Sequence, residues 1–426
     1  MGRTKETVTI NALAYGGDGV GYLGEKVLFV PGGVPGDVIC VHIKEDRGSY
    51  FRGIIDELIT PSPERVEPFC PYASLCGSCQ WQSLKYSTQL RWKQTIVEES
   101  LKRIGGIQAL SVEQCLPSPI ERNYRTTARY SASVSGGNII FGYYERHSHQ
   151  IVDIKYCPVA HEKVNSIAAS LKTLINERFP PKDIRELTIQ SSLNHNSSLI
   201  TITTSHRHHL VGEMNYLLTE IPDLSGVICR ASPDRHMCTF GERFRYEIIR
   251  GRTFRIEERS FFQINAVQTE HLVGLICEMI SGEPCSTLID GYGGVGLFSL
   301  SAAHHEAVIH LYDLSVSAVE DSIWNARELG FRYFHAHRKD ILSVPEIRET
   351  ADIIILDPPR HGLGLKAIKA ISNLRPHIII YVSCNPTTLS RDIKLFTKEG
   401  YTIERVVPVD MFPHTYHIET VVKLRK

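Results

Sequence analysis

The sequence has no excess of charge of either sign, since 47 Lys and Arg stand against 47 Asp and Glu in 426 residues. Composition therefore announces no nucleic-acid partner, although a local basic patch is compatible with a zero sum. Long apolar runs are also missing. The longest aliphatic stretches, residues 353–356 and 378–382, fall far short of the ~20 apolar residues of a membrane-spanning helix. The N-terminus, MGRTKETVTINALAYGG, has no apolar segment of signal-peptide length, and Glu6 stands where the myristoylation pattern wants Ser or Thr. Glycine and proline, at 31 and 21 residues, are not in surplus, and no internal repeat is visible. With 42% hydrophobic and 22% charged residues, collagen-like, disordered and low-complexity chains are excluded. What is present is eleven cysteines, which without a secretory signal read as reduced thiols, metal ligands or a nucleophile. The expectation is a soluble, cytoplasmic protein with no membrane association, no evident obligate protein partner, and two or three domains at ~100–200 residues each.

Residues 1–60 read as short strands cut by glycine turns, among them Gly16-Gly17, Gly24, Gly32-Gly33 and Pro35-Gly36. That spacing suggests a small β-barrel, which either binds oligonucleotides or only packs on its neighbour. A proline-rich joint, PSPERVEPFCPY, ends this segment. Residues 83–105 look helical, with Leu84, Leu90, Ile96, Val97 and Leu101 near one face and Gly105 closing it. Strand-like runs from about Tyr124 to Glu247 indicate a β-rich middle domain. Beyond about Ser260, helical segments alternate with buried-looking strands, the mark of a mostly parallel, doubly wound α/β sheet. The domains read as 1–60, 61–255 and 256–426.

Residues 287–290 form a strand that runs into GYGGVG and then a helix. Glycines let backbone pass close to a ligand, and the helix N-terminus offers unpaired amides. Asp313 ends the next strand, where a carboxylate can take the hydroxyls of a ribose. This plan serves a dinucleotide or S-adenosylmethionine equally. The strand at 352–356 then delivers Asp357-Pro358-Pro359-Arg360 at its carboxyl end, a rigid shelf without backbone donors at the prolines. Arg360 stands where an aromatic residue would mark methylation of an exocyclic amine. The following strand ends in Ser383-Cys384-Asn385-Pro386. A cysteine there is placed as a nucleophile, although the common fate of a lone cysteine is packing. A thiolate suits one methyl transfer in particular. Carbon 5 of uracil becomes nucleophilic when a thiolate adds to carbon 6, and its proton must then leave to a general base. His414, His417 and Glu419 are all candidates for that base.

These residues together resemble the RNA (uracil-5)-methyltransferase family, specifically its 23S rRNA enzymes. The matching segments are FFQIN, LIDGYGGVGLFSL, DLSVSAVEDSIWNA, DIIILDPPRHGL, YVSCNPTTLSRDI and DMFPHTYHIET, in the family's order. The resemblance implies a class I methyltransferase domain with Cys384 as nucleophile and Glu419 as base. It implies Gln263, Tyr292, Asp313, Asp340 and Asp357 around S-adenosylmethionine, with Gln263 and Arg360 holding the uracil. Two positions depart from the family: Gly293 replaces a cysteine after Tyr292, and Asp313 replaces Glu. Both keep a close backbone approach and a ribose carboxylate, so they bear on affinity more than on activity.

Cys70, Cys76 and Cys79 are spaced C-x5-C-x2-C, and Cys157 lies far downstream. Such thiols can hold zinc or an iron–sulfur cluster, and the missing second close pair favours a cluster. The segments PFCPYASLCGSCQWQ and IVDIKYCPVA resemble those holding a [4Fe–4S] cluster in the rRNA enzymes. The first 60 residues likewise resemble the TRAM domain, an RNA-binding barrel. The expected partner is RNA, 23S rRNA before tRNA. A nicotinamide-dependent dehydrogenase, a non-catalytic RNA-binding protein and a cytosine-directed enzyme are the rivals. Arg122, Arg125 and Arg129 with Tyr124 and Tyr130 can face RNA or form an ordinary strand face. His206-Arg207-His208-His209 reads as a polar strand end or loop.

Overall fold

A computed structural model of the chain describes residues 5–108, 111–178, 183–205, 214–231, 236–346 and 350–426. The run from His206 to His209 lies outside them.

Six strands form the first sheet, in the order Lys5–Thr9, Val38–Asp46, Tyr50–Thr60, Lys26–Val30, Gly19–Leu23, Ala12–Leu13. Alternation turns Val8, Leu28, Val30, Ile39 and Val41 inward to a small core of their own. So small a core leans on polar anchors. The buried Asp37 carboxylate accepts from the N–H groups of Val34 (2.7 Å) and Ser62 (2.9 Å) and from Arg65 Nε (3.1 Å). Trp81 Nε1 donates to Gly17 O at 3.1 Å and fastens the sheet to the body of the molecule.

The middle sheet has seven strands, in the order His236–Gly241, Gly226–Ala231, Ser198–Thr204, Ile184–Ser191, Thr127–Ser135, Asn138–Tyr144, Ile151–Asp153. Helix Glu162–Arg178 also belongs to this region and was not foreseen. Its buried Val164, Ile167, Leu171 and Ile175 recur at helical spacing and share the core of the middle sheet.

Helix Tyr86–Ser100 continues as a π-helical turn, Leu101–Gly105. The left-handed residue that ends it is Gly106 (φ 73°), one position beyond the expected Gly105. Its Ile96 and Val97 share a core with Ile354, Tyr381, Leu389 and Phe396. The helix therefore packs on the C-terminal sheet, although it precedes the middle strands in sequence.

The C-terminal sheet runs Phe334–His337, Val308–Tyr312, Thr287–Gly291, Ile353–Leu356, Ile378–Ser383, Glu419–Arg425, Thr402–Val409. The first five strands are parallel, and Glu419–Arg425 is antiparallel to both of its neighbours. Ile353–Leu356 and Ile378–Ser383 are buried throughout, as strands covered on both faces must be. Chain order reverses on either side of Thr287–Gly291, and the carboxyl ends there border the crevice where such sheets bind ligands.

Candidate active site

Strand Thr287–Gly291 ends at the glycine loop. Tyr292 sits at φ 61°, a left-handed conformation that costs a non-glycine residue about 1–2 kcal/mol. A Cβ added at Gly293 would lie 2.7 Å from Leu311 Cδ1 and 2.8 Å from Asp290 Cγ, so glycine lets the loop close on the sheet. Asp313 steadies the loop from the next strand, accepting from Gly294 N (3.0 Å) and Ser315 N (2.8 Å). Each oxygen retains a lone pair for a ligand hydroxyl. Asp290 is wholly buried; Ser299 N donates to its Oδ2 at 3.2 Å, and Oδ1 has no partner among the described residues. Burial pushes this carboxyl up to about 7. The Tyr292 phenol is raised to about 12 by burial, then by Asp340 and Asp392, so Asp340 belongs to the same neighbourhood.

Asp357 and Cys384 follow adjacent parallel strands, Ile353–Leu356 and Ile378–Ser383. Asp357 N donates to Gly291 O at 3.2 Å, which joins the DPPR turn to the glycine loop. Asn385 caps helix Pro386–Lys398 by accepting from Thr387 N (3.0 Å), and its Nδ2 donates to Arg360 O (3.0 Å). One side chain thus ties the cysteine turn to the DPPR turn.

Ser383 lies opposite Thr420 in the antiparallel pair, so the next residues in register, Cys384 and Glu419, meet at the strand ends. Glu419 is buried, and its Oε1 has no partner among the described residues. Burial raises its carboxyl, Asp357 adds to the rise, and Arg360 opposes it. The Cys384 thiol is pushed up to about 11 by burial, then by Glu419 and Asp357, again against Arg360. The exposed Arg360 guanidinium therefore opposes the rise at both the thiol and the Glu419 carboxyl.

The other two base candidates differ. Burial lowers His414 and His417 to about 4, which leaves both neutral at neutral pH. Gln89 locks His414, accepting from its N–H (2.9 Å) and meeting Nδ1 (3.1 Å). Gln263 is buried two residues before Asn265, which caps helix Ala266–Ile280 by accepting from Gln268 N.

Cys70, Cys76, Cys79 and Cys157 come together around one small cavity, with Tyr72, Ser78, Gln82 and Tyr143 in its wall. Asn165 braces Cys157 through Cys157 N (2.8 Å) and Cys157 O (3.0 Å). Among the described residues, no three His, Cys, Asp or Glu side chains are disposed to hold a metal ion. The donor chemistry, four thiols around one cavity, is that of a tetrathiolate site.

Part of the suggested RNA face is corrected. Tyr124, Arg125 and Tyr130 are buried, with Tyr124 donating to Pro413 O (3.0 Å) and Arg125 to Ser78 Oγ (2.8 Å). Arg122 stacks on Phe69, and Arg129 pairs with Glu186. A residue that sequence reasoning missed is Tyr15, whose hydroxyl donates to Cys384 O at 3.1 Å. No local pattern signals a contact between the barrel and the nucleophile.

Among known proteins, the tRNA (uracil-5-)-methyltransferase family matches residues 85–338 and 342–426, and the TRAM domain matches residues 1–55. An uncharacterized RNA methyltransferase of Gloeobacter violaceus is 34% identical over 99% of this chain and 96% of its own length. Another, from Halalkalibacterium halodurans, is 31% identical over 98% and 96%. The crystal structure of Pyrococcus abyssi tRNA (uracil-54, C5)-methyltransferase in complex with S-adenosyl-L-homocysteine aligns with a TM-score of 0.77 and 27% identity. That alignment covers 98% of this chain and 100% of that one. The doubly wound C-terminal sheet is thus a class I methyltransferase fold, and the chain belongs to the tRNA (uracil-5-)-methyltransferase family of RNA methyltransferases, with a TRAM domain at its front.

Proposed function

We propose that the protein transfers a methyl group from S-adenosylmethionine to carbon 5 of a uridine in RNA, and that 23S rRNA is the substrate. The observation that carries the reading is the meeting of Cys384 and Glu419 on adjacent antiparallel strands, beside the DPPR turn. The target base is flipped out of the RNA to reach them. The Cys384 thiolate adds to carbon 6, the 5,6 double bond opens, and its electron pair moves into an enolate. Carbon 5 takes the methyl group while the donor's carbon–sulfur bond breaks, its pair staying on sulfur. The Glu419 carboxylate then removes the carbon 5 proton, the double bond re-forms and the thiolate is expelled. Glu419 is favoured over the histidines because it adjoins Cys384 in register, whereas Gln89 holds His414.

Gln263, Tyr292, Asp313, Asp340 and Asp357 hold S-adenosylmethionine in this reading, with Gln263 and Arg360 on the uracil. The bound S-adenosyl-L-homocysteine of the P. abyssi enzyme supports the choice of cofactor. Cys70, Cys76, Cys79 and Cys157 hold a [4Fe–4S] cluster that serves structure and RNA contact. The barrel of residues 1–60 binds RNA, residues 61–255 carry the cysteines, and residues 256–426 carry the chemistry. The rRNA assignment rests on the barrel and the four cysteines together. The full-length likeness to a tRNA enzyme favours a second reading, the same reaction on tRNA.

The deciding experiment offers labelled S-adenosylmethionine with unmodified 23S rRNA and tRNA transcripts in parallel, then maps 5-methyluridine. Label in rRNA alone supports the first reading and label in tRNA the second. No label in either would overturn both.

A further inference from the structure

A cavity of about 580 Å³ opens between the barrel and the cysteine-rich segment. Tyr15, Phe29, Tyr50 and Arg52 line it from the barrel, and Gln80 and Arg146 from the other side. A second cavity of about 280 Å³ shares Pro31, Gln80 and Arg146 with the first, so the two continue as one groove. Its size falls within the roughly 300–1,000 Å³ range of small-ligand sites, enough for one nucleotide.

The lining has the chemistry that recognises single-stranded nucleic acid, aromatic faces beside cations. Phe29 and Tyr50 meet edge to face with centroids 5.5 Å apart, and both are half-buried. Arg52 remains 42% exposed, and its closest acid is Asp18, at 3.9 Å. Asp18 is the one acid in the wall among the described residues, where it can accept from a ribose hydroxyl. Two wall residues also carry polar atoms, Gln80 Oε1 and Arg146 Nε, that are buried without a partner among the described residues. Such atoms are rare in folded proteins and call for an occupant or a movement that pairs them. The groove borders the catalytic centre through Tyr15, whose hydroxyl holds the Cys384 carbonyl.

We propose that this groove takes a second unstacked nucleotide from the RNA strand whose uridine enters the active site. The base lies against Phe29 and Tyr50, and its phosphate against Arg52 and Arg146. The proposal rests on RNA being the substrate and is independent of the choice between rRNA and tRNA.

The test measures binding of a fluorescein-labelled, uridine-containing RNA strand, and methylation of the transcripts described above. Phe29→Ala and Tyr50→Ala should each weaken binding and raise KM about tenfold, the usual weight of one stacked base. Arg52→Gln should lower the slope of log K against log salt by about 0.7, one phosphate contact on a single strand. A merely structural role would not move that slope, and Arg52, partly exposed, keeps the test valid where Phe29→Ala fails to fold. Wild-type affinity and slope in folded variants would overturn the proposal while leaving the methyltransferase reading intact. A wild-type protein that neither binds nor methylates RNA would overturn both, and the failure of the unmutated protein tells that case apart.

Discussion

The hydroxyl of Tyr15 donates to the backbone carbonyl of Cys384 at 3.1 Å, across 369 residues of chain. The N-terminal TRAM domain thereby touches the turn that carries Cys384, the proposed nucleophile. The Tyr15 ring also meets Tyr416 edge to face at 5.6 Å, beside His417 and close in sequence to Glu419. Tyr15→Phe keeps the ring contact and removes only the hydrogen bond. A bond of this kind contributes about 0.5–1.5 kcal/mol, so kcat should fall roughly 2- to 10-fold. Binding of S-adenosylmethionine should not change, because Tyr15 faces the cysteine turn and not the glycine loop. Single-turnover methylation with saturating RNA measures this, and an unchanged rate would remove Tyr15 from the machinery.

Cys384→Ala should abolish turnover, because it removes the thiol proposed to add to carbon 6. S-adenosylmethionine should still raise the melting temperature of that variant as it does for the wild type. Glu419→Gln should permit addition and methyl transfer but stall elimination, leaving protein attached to RNA on a denaturing gel. If that variant turns over freely without an adduct, Glu419 is not the base.

The pH dependence follows from the raised acids. Burial pushes Cys384 up to about 11 and raises Glu419 above its ordinary 4.5, yet each acts in its deprotonated form. The methylation rate at subsaturating RNA should therefore still be climbing with pH above neutrality, towards the raised thiol value of about 11. Stability runs the other way. A carboxyl whose folded value is raised binds its proton more tightly in the folded state, so its contribution is complete below 4.5 and is lost as pH rises through the folded value. Glu419→Gln cannot ionise. It should melt above the wild type at pH 8 and level with it near pH 4, and equal melting curves at both would contradict a raised Glu419.

Positions at strand ends were legible in the sequence because their causes are local. The aliphatic runs before Asp357 and Cys384 end in prolines, and that alone puts both residues at the mouth of a doubly wound sheet. The choice of Glu419 over His414 and His417 was not legible from the residues. It needs the antiparallel register of Glu419–Arg425 and the lock that Gln89 places on His414. The residue types near Tyr124–Tyr130 suggested an RNA face, but they carry no sign that Tyr124, Arg125 and Tyr130 are covered. The Tyr124 hydroxyl is taken by Pro413 O, and Arg125 reaches Ser78 in the cysteine segment. Long-range pairs such as Lys93 with the buried Asp410, 2.5 Å apart, leave no trace in any sequence window.

The four cysteines give an independent test. Protein purified without oxygen should carry about four iron and four inorganic sulfide per chain, the content of one cubane cluster. Replacing Cys157 with Ser should deplete the iron, and the melting temperature should drop because Cys157 anchors the turn that Asn165 braces. Zinc in place of iron, with no sulfide, would overturn the cluster assignment.

Gly293 shows how the cofactor loop is built. The resembling enzymes carry a cysteine after the tyrosine, whereas in this chain a Cβ at 293 would press on Leu311 at 2.7 Å and on Asp290 Cγ at 2.8 Å. Leu311 lies in the strand beside Thr287–Gly291, and Asp290 is wholly buried, so neither can yield without moving the sheet. Overpacking of this kind costs about 1–3 kcal/mol. Gly293→Cys should therefore lower the melting temperature despite restoring the resembling family's residue. It should also weaken S-adenosylmethionine binding, since the N–H of residue 293 is held by Tyr312 O at 3.1 Å and the loop would lift from that contact. Isothermal titration alongside melting curves separates the two effects. A variant that binds more tightly and melts no lower would mean that Leu311 relaxes, and that glycine is not required for this loop to close.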